Sequence, residues 1–158
     1  MVVRNATLPD GRVRDVRVDP ESGRVDHVGR TLVDEVAPHE VVDATGKRLF
    51  PGMIDVHVHF REPGFPHKET WATGSRSAAA GGVTTVVDQP NTDPPTVTGE
   101  AFDDKLGFAG QSIVDFGVNG GVTPDWDPDS LLTRPLFALG EVFLADSTGD
   151  MGIGTDLF

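Results

Sequence analysis

The chain has 158 residues, a formal net charge of -12 and no cysteine. This length allows one domain, or a small domain with part of a larger one. A surface of such charge repels nucleic acid and anionic lipid, so we expect neither nucleic acid nor a membrane as a partner. Thiolate metal sites and disulfides are excluded, and any metal must therefore bind to His, Asp or Glu.

Most of the acidic residues are aspartate, whereas lysine occurs only at positions 47, 68 and 105. This balance favours a protein from a salt-adapted organism, because molar salt screens self-repulsion over a Debye length of about 3 Å. The amino terminus does not resemble a secretory signal, and no stretch reaches the ~18 apolar residues that span a bilayer. We therefore expect a cytoplasmic protein.

Residues 1–50 are predicted to form a small β-domain. Runs such as "VRDVRVD" alternate apolar and polar residues and are separated by Pro-Asp-Gly and Ser-Gly. This pattern is typical of antiparallel strands joined by turns.

From residue 51 the pattern changes to alternating strands and helices. Strands are predicted at residues 53–60, 83–88, 112–119 and 136–145, and helical segments at residues 68–80, 99–109 and 127–133. Such alternation implies parallel βα units, so this part of the chain is predicted to be an α/β fold with four strands.

The stretch "MIDVHVHFREPG" places polar side chains on the first of these strands. Residues two apart in a strand point the same way, so Asp55, His57 and His59 share one face, and Arg61 follows beyond the strand. Parallel α/β folds bind ligands at the carboxyl ends of their strands. The two imidazoles could hold one metal ion, although a histidine on a strand is more often a hydrogen-bonded core or surface residue.

A second polar cluster, "DQPNTDPP" at residues 88–95, follows the next strand. Successive parallel strands end at the same edge of a sheet, so both clusters are expected to converge on one pocket. The alternative is that Pro90, Pro94 and Pro95 only shape a loop, with Asn91 capping a turn.

Together, "DVHVHFREPG" and "GGVTTVVDQPNTDPP" closely resemble the signatures of dihydroorotases, which are members of the amidohydrolase superfamily. The resemblance implies a (β/α)8 TIM-type barrel joined to a small β-sandwich, with residues 1–50 in the sandwich and residues 51–158 forming the first four βα units. A complete barrel takes about 250 residues. The resemblance therefore implies an incomplete barrel, with the general acid/base aspartate beyond Phe158, and little or no activity of this chain alone.

The resemblance also assigns roles to individual residues. It implies that His57 and His59 bind the more buried of one or two divalent ions, normally zinc, with His59 also close to the substrate. Arg61 and Asn91 would bind the substrate carboxylate, for which a guanidinium is suited by its two parallel hydrogen bonds. Gln89 stands where many relatives carry methionine, and we expect it to alter loop packing rather than chemistry.

Related enzymes often carry a carboxylated lysine on the fourth strand, where it bridges two metals. This chain has Glu141 there and no lysine after Lys105. Glu141 is therefore the candidate bridging ligand, and Asp146 is the alternative. Glu141 could instead only hold the barrel interior through hydrogen bonds, since an unpaired buried carboxylate is costly.

The implied reaction is the reversible hydrolysis of the cyclic amide of (S)-dihydroorotate to N-carbamoyl-L-aspartate, a step of pyrimidine biosynthesis. The small-molecule substrate is the expected partner, and a homo-oligomer or a contact with aspartate transcarbamoylase is compatible with the resemblance. Two alternatives remain open. One is another cyclic amidohydrolase of the hydantoinase or allantoinase type, which a lysine in place of Glu141 would favour; the other is a non-catalytic scaffolding subunit.

Overall fold

The computed structural model describes residues 1–32, 37, 40–144 and 151–154. Backbone contacts divide the chain into two compact units, Met1–Pro51 and Gly52–Phe158. No helix in the described ranges is both long and apolar enough to cross a membrane.

The first unit contains a four-stranded sheet with the spatial order β3-β2-β1-β4. Its strands are β1 (Val2–Thr7), β2 (Val13–Val18), β3 (Val25–Gly29) and β4 (Val41–Asp43). β1 and β3 pair antiparallel with β2, as the alternating pattern predicts, whereas β4 pairs parallel with β1. The parallel pairing was not predicted, because turn residues mark only hairpins. The second sheet of a sandwich stays a prediction.

The second unit is built on a parallel sheet with the strand order β5-β6-β7. In chain order its elements are β5 (Met53–Val58), α1 (Trp71–Ala80), β6 (Val83–Asp88), α2 (Gly99–Ala109), β7 (Asp115–Val118) and the short α3 (Pro128–Leu131). The alternation of strands and helices agrees with the sequence prediction, and so do the bounds of β6 and α2.

Both long helices of this unit begin after a threonine. The side chain of Thr70 accepts a hydrogen bond from Thr73 N, and that of Thr98 accepts one from Ala101 N. Each threonine thus satisfies a backbone N–H that has no partner inside its helix. This cap explains why α1 begins at Trp71 rather than at the predicted residue 68.

The strand predicted at residues 136–145 is not a regular strand in the described part of the chain. Residues 137–140 lie beside the end of β7, where Gly140 N donates to Gly120 O at 2.8 Å. The pairing does not continue through Glu141, whose φ of 54° lies outside the β region. The prediction was therefore right about the position of this segment and wrong about its length.

The core of the second unit is formed by apolar side chains from its sheet and helices: Phe60, Trp71, Val86, Phe102, Ala109, Val118 and Leu131. β5 is an edge strand, and its side chains Met53, Ile54 and Val56 are exposed. The incomplete barrel stays a prediction.

Candidate metal and carboxylate site

Two histidines and one glutamate lie close together in the second unit. His57 Nε2 and His59 Nε2 lie 3.5 Å and 3.4 Å from Oε1 of Glu141. One ligand atom of each of the three residues lies within 4.8 Å of the other two. The histidines come from the end of β5, and the glutamate comes from the segment that pairs beside β7. Segments distant in sequence thus supply three groups that could hold a metal ion.

The carboxylate of Glu141 fits a cation. Its side chain is only 7% exposed, and its Oε2 is buried without a hydrogen-bond partner among the described residues. An unpartnered buried carboxylate oxygen is unfavourable, and coordination to a cation would satisfy it. This orphaned oxygen favours a ligand role for Glu141 over a purely structural one. Asp146, the alternative ligand, lies outside the described residues.

Asn91 orients the ring of His59. Nδ1 of His59 lies 2.8 Å from Oδ1 of Asn91. An amide oxygen only accepts, so this contact is a hydrogen bond when Nδ1 carries the proton, and the lone pair of Nε2 then faces Glu141. Histidine ligands of metals are commonly held in this way through their other ring nitrogen. Asn91 is buried, and its Nδ2 makes no hydrogen bond within the described ranges, so that donor is available to a ligand.

Arg61 lies two residues after His59 and has a positive φ of 64°. Its side chain forms neither an ion pair nor a hydrogen bond with any other described residue. The guanidinium is thus available to a carboxylate, which it can bind through two parallel hydrogen bonds.

The loops after β5 and β6 are in direct contact. Asp93 N donates to Pro63 O at 3.2 Å. Gly64 has a φ of 98°, and a Cβ at this position would lie 2.4 Å from Cβ of Asp93. Only glycine allows this conformation and this approach. The structure thereby brings the two polar clusters of the sequence to the same edge of the sheet.

The sequence analysis missed a buried ion pair beside this site. The side chains of Asp88 and Lys105 are fully buried, with Nζ and Oδ2 2.6 Å apart. Burial lowers the pKa of Lys105, and the charge of Asp88 opposes this shift. Lysine is rarely buried, so the charged residues of α2 indicate that Lys105 lies at the surface, and its burial was not predicted. Helical spacing is the sequence signal that could have revealed this burial, because Lys105 shares a helix face with the buried Phe102 and Ala109.

The chain is similar to known proteins in both sequence and fold. Residues 40–109 match the model of the Amidohydrolase family. The chain is 67% identical to the dihydroorotase of Halobacterium salinarum over 99% of this chain and 36% of that protein. It is 46% identical to the dihydroorotase of Methanosarcina acetivorans over 92% of this chain and 32% of that protein. The chain is thus similar to dihydroorotases over most of its own length, and residues 40–109 resemble the Amidohydrolase family.

A solved structure has a similar fold. The L-hydantoinase of Arthrobacter aurescens matches with a TM-score of 0.80 and 30% identity, over 98% of this chain and 35% of that chain. The resemblance inferred from the sequence motifs is therefore confirmed, and so is the mixed α/β architecture. The chain spans about a third of the length of the curated relatives it matches.

Proposed function

We propose that the chain supplies part of the active site of a dihydroorotase, which hydrolyses the cyclic amide of dihydroorotate reversibly to N-carbamoyl-L-aspartate. The observation that carries this proposal is the convergence of His57, His59 and Glu141, with one glutamate oxygen buried and unpartnered. Arg61 and the amide donor of Asn91 have no side-chain partner among the described residues, and they add a means of binding a carboxylate. The two dihydroorotase relatives support the same reaction.

His57, His59 and Glu141 would hold a divalent ion, and a donor set of imidazoles and a carboxylate suits zinc. When bound, such an ion lowers the pKa of its water to about 7 and polarises the amide carbonyl. The protein contributes the orientation of the ligands, because Asn91 keeps the proton of His59 on Nδ1.

Arg61 and Asn91 would bind the carboxylate of the substrate. The guanidinium would donate two parallel hydrogen bonds, and Asn91 Nδ2 would donate a third. Asn91 Oδ1 meanwhile holds His59. The side-chain amide of Asn91 would thus join recognition of the carboxylate to the orientation of a metal ligand, and it would bring the ring amide of the substrate close to the metal ligands.

The family resemblance implies an aspartate as proton carrier, and this aspartate is not among the candidate residues of the site. Little or no turnover by the 158-residue chain alone therefore stays a prediction, and binding is the property that this chain can be tested for.

A hydantoinase-type reaction is the second candidate, since the L-hydantoinase of Arthrobacter aurescens has a similar fold. Glu141 argues against it, because a lysine at that position would favour an enzyme of the hydantoinase type. The substrates differ in a way that a test can use, as hydantoin has no carboxylate for Arg61 to bind.

The metal site is tested by titrating the purified chain with Co²⁺ in molar KCl and following the visible absorption of the bound ion. Glu141→Gln should weaken binding by about tenfold or more, since it removes an anionic ligand. Glu100→Gln, at an exposed position of α2, is the matched control and should bind like the wild-type chain. A folded wild-type chain that binds no Co²⁺ would refute the metal site.

The substrate class is tested by calorimetry of the Co²⁺-loaded chain with N-carbamoyl-L-aspartate and with hydantoin. Arg61→Lys should weaken binding of N-carbamoyl-L-aspartate by about tenfold, because lysine keeps the charge and loses the paired hydrogen bonds. Equal binding of both compounds, with no effect of Arg61→Lys, would favour the hydantoinase-type reading. Binding of neither compound by the loaded chain would favour a non-catalytic subunit.

A further inference from the structure

We propose that Asp88 and Lys105 form a positioning pair, which holds the end of β5 and the loop after β6 so that His59 and Asn91 can hydrogen-bond. The importance of this pair for metal binding rests on the function proposed above. The geometry that it controls belongs to the chain itself and can be measured without a metal.

Asp88 extends the contact between β5 and β6 beyond their backbone ladder. The ladder ends where Val58 pairs with Asp88 and Gln89 N donates to Val58 O at 2.9 Å. Oδ1 of Asp88 then accepts a hydrogen bond from Phe60 N at 2.7 Å. Phe60 lies between His59 and Arg61, so this carboxylate fixes the backbone from which both side chains project.

Lys105 reaches the same point from α2. Its Nζ lies 2.6 Å from Oδ2 of Asp88 and donates to Gln89 O at 2.5 Å. Gln89 precedes Asn91 by two residues. One ammonium group therefore holds both the carboxylate that fixes Phe60 and the carbonyl at the start of the loop that carries Asn91.

Stability alone is a poor explanation for this pair. Both side chains are completely buried, and apolar residues of similar volume often stabilise a protein as well as a buried ion pair does. An apolar pair could not bind Phe60 N and Gln89 O, however. Lys105 also lies within electrostatic reach of the site, since the charge of Glu141 raises the pKa of Lys105 and the charge of Arg61 lowers it.

The tautomer of His59 is the direct readout. It is measured by long-range proton–nitrogen NMR on the metal-free chain, at a pH about two units above the ordinary histidine pKa. The wild-type chain should show the proton on Nδ1 alone. Lys105→Met should give a mixture with the proton on Nε2, because the loop of Asn91 loses its anchor.

Asp103→Asn is the matched control, since it removes an exposed ion pair of the same helix, in which Arg134 Nη2 lies 2.7 Å from Asp103 Oδ2. It should leave the tautomer unchanged. Co²⁺ affinity should fall about tenfold in Lys105→Met, as is typical when the partner of a metal-binding histidine is disturbed, and should be unchanged in the control.

A second variant covers the case in which Lys105→Met leaves Asp88 buried without a partner and does not fold. Asp88→Asn combined with Lys105→Met removes both buried charges, keeps an acceptor for Phe60 N and still leaves Gln89 O without a donor. The double variant should also show mixed tautomers. A variant that melts earlier but keeps the proton on Nδ1 and the wild-type Co²⁺ affinity would overturn the positioning role.

The outcomes also separate this inference from the proposed function. A wild-type chain that binds no Co²⁺ would refute the function, whereas loss of the single tautomer in the variants would still support the positioning pair. Retention of the single tautomer in both variants would refute the pair whatever the metal result.

Discussion

Two residues of the candidate site have an unusual backbone conformation. Arg61 and Glu141 have φ values of 64° and 54°, and the only other non-glycine residues with positive φ in the described ranges are Asn5 and Thr31. Such conformations cost about 1–3 kcal/mol each and are concentrated at functional sites. The backbone is therefore not extended at Arg61 and Glu141, and both of these residues carry a charged side chain.

At the same scale, Asp43 is expected to make stability depend on acid pH. Its carboxylate accepts hydrogen bonds from the hydroxyl and N–H of Thr45 and from Arg4. These contacts, with the Thr45 hydroxyl foremost, lower the pKa of Asp43 to about 2. The pKa is thus lower in the folded than in the unfolded chain. The stabilisation is complete above the unfolded value of about 3.9, and it is lost as the pH falls through the folded value.

NMR titration of the Asp43 carboxyl carbon measures this effect. Thr45→Val should raise the pKa of Asp43, whereas Thr133→Val, which changes an exposed threonine of the other unit, should leave it unchanged. An unaltered pKa in Thr45→Val would contradict the assignment of the shift to this hydroxyl.

At the scale of elements, the packing of α1 against the end of β5 positions the site. Gly74 lies against the ring of Phe60, where a Cβ would come within 2.5 Å of Cδ1 and Cε1. The same ring packs edge-on against Trp71, with centroids 5.1 Å apart. Close packing of the ring and the hydrogen bond that Phe60 N donates to Asp88 Oδ1 thus fix Phe60, the residue that follows His59.

This packing predicts opposite effects for two glycine-to-alanine changes. Gly74→Ala should lower the free energy of unfolding by about 1–3 kcal/mol, because the added methyl group overpacks the core. Gly107→Ala, in α2 with no atom within 4 Å of the added Cβ, should raise it by about 0.5–1 kcal/mol through helix propensity. Urea unfolding followed by the fluorescence of Trp71 and Trp126 measures both. Equal stabilisation by the two changes would contradict close packing at Gly74.

At the scale of the whole molecule, charge is the dominant feature. The net charge is -12, and the ion pairs of Asp10, Asp26, Asp43 and Asp103 are all at least partly exposed. Exposed pairs typically contribute about 0–1 kcal/mol. Mutual repulsion among the remaining carboxylates is therefore expected to destabilise the fold wherever salt does not screen it.

Stability should consequently rise with salt. Screening shortens from about 30 Å at 0.01 M to about 3 Å at 1 M, so the melting temperature should increase from dilute to molar KCl. Calorimetry of the wild-type chain measures the increase. Replacing the exposed Asp104, Asp125 and Asp129 with asparagine should reduce it. A melting temperature that falls as KCl is added would show that the composition is not a salt adaptation.

Local sequence patterns were sufficient for most of the elements and for part of the site. Alternation and helical spacing located β6 and α2, and the period of two placed His57 and His59 on one face of the predicted strand at residues 53–60. Such patterns are encoded by neighbouring residues, because side-chain direction repeats with the geometry of the element. The glutamate was recognised as a candidate ligand through the family resemblance.

Only the tertiary structure decided which groups meet. It brought Glu141 to the histidines, set Asn91 against His59, shortened the segment beside β7 and buried Lys105 against Asp88. Periodicity reports which face of an element is buried and not which residue lies opposite. That depends on how closely segments far apart in the chain approach each other, and on the partners that buried polar groups require.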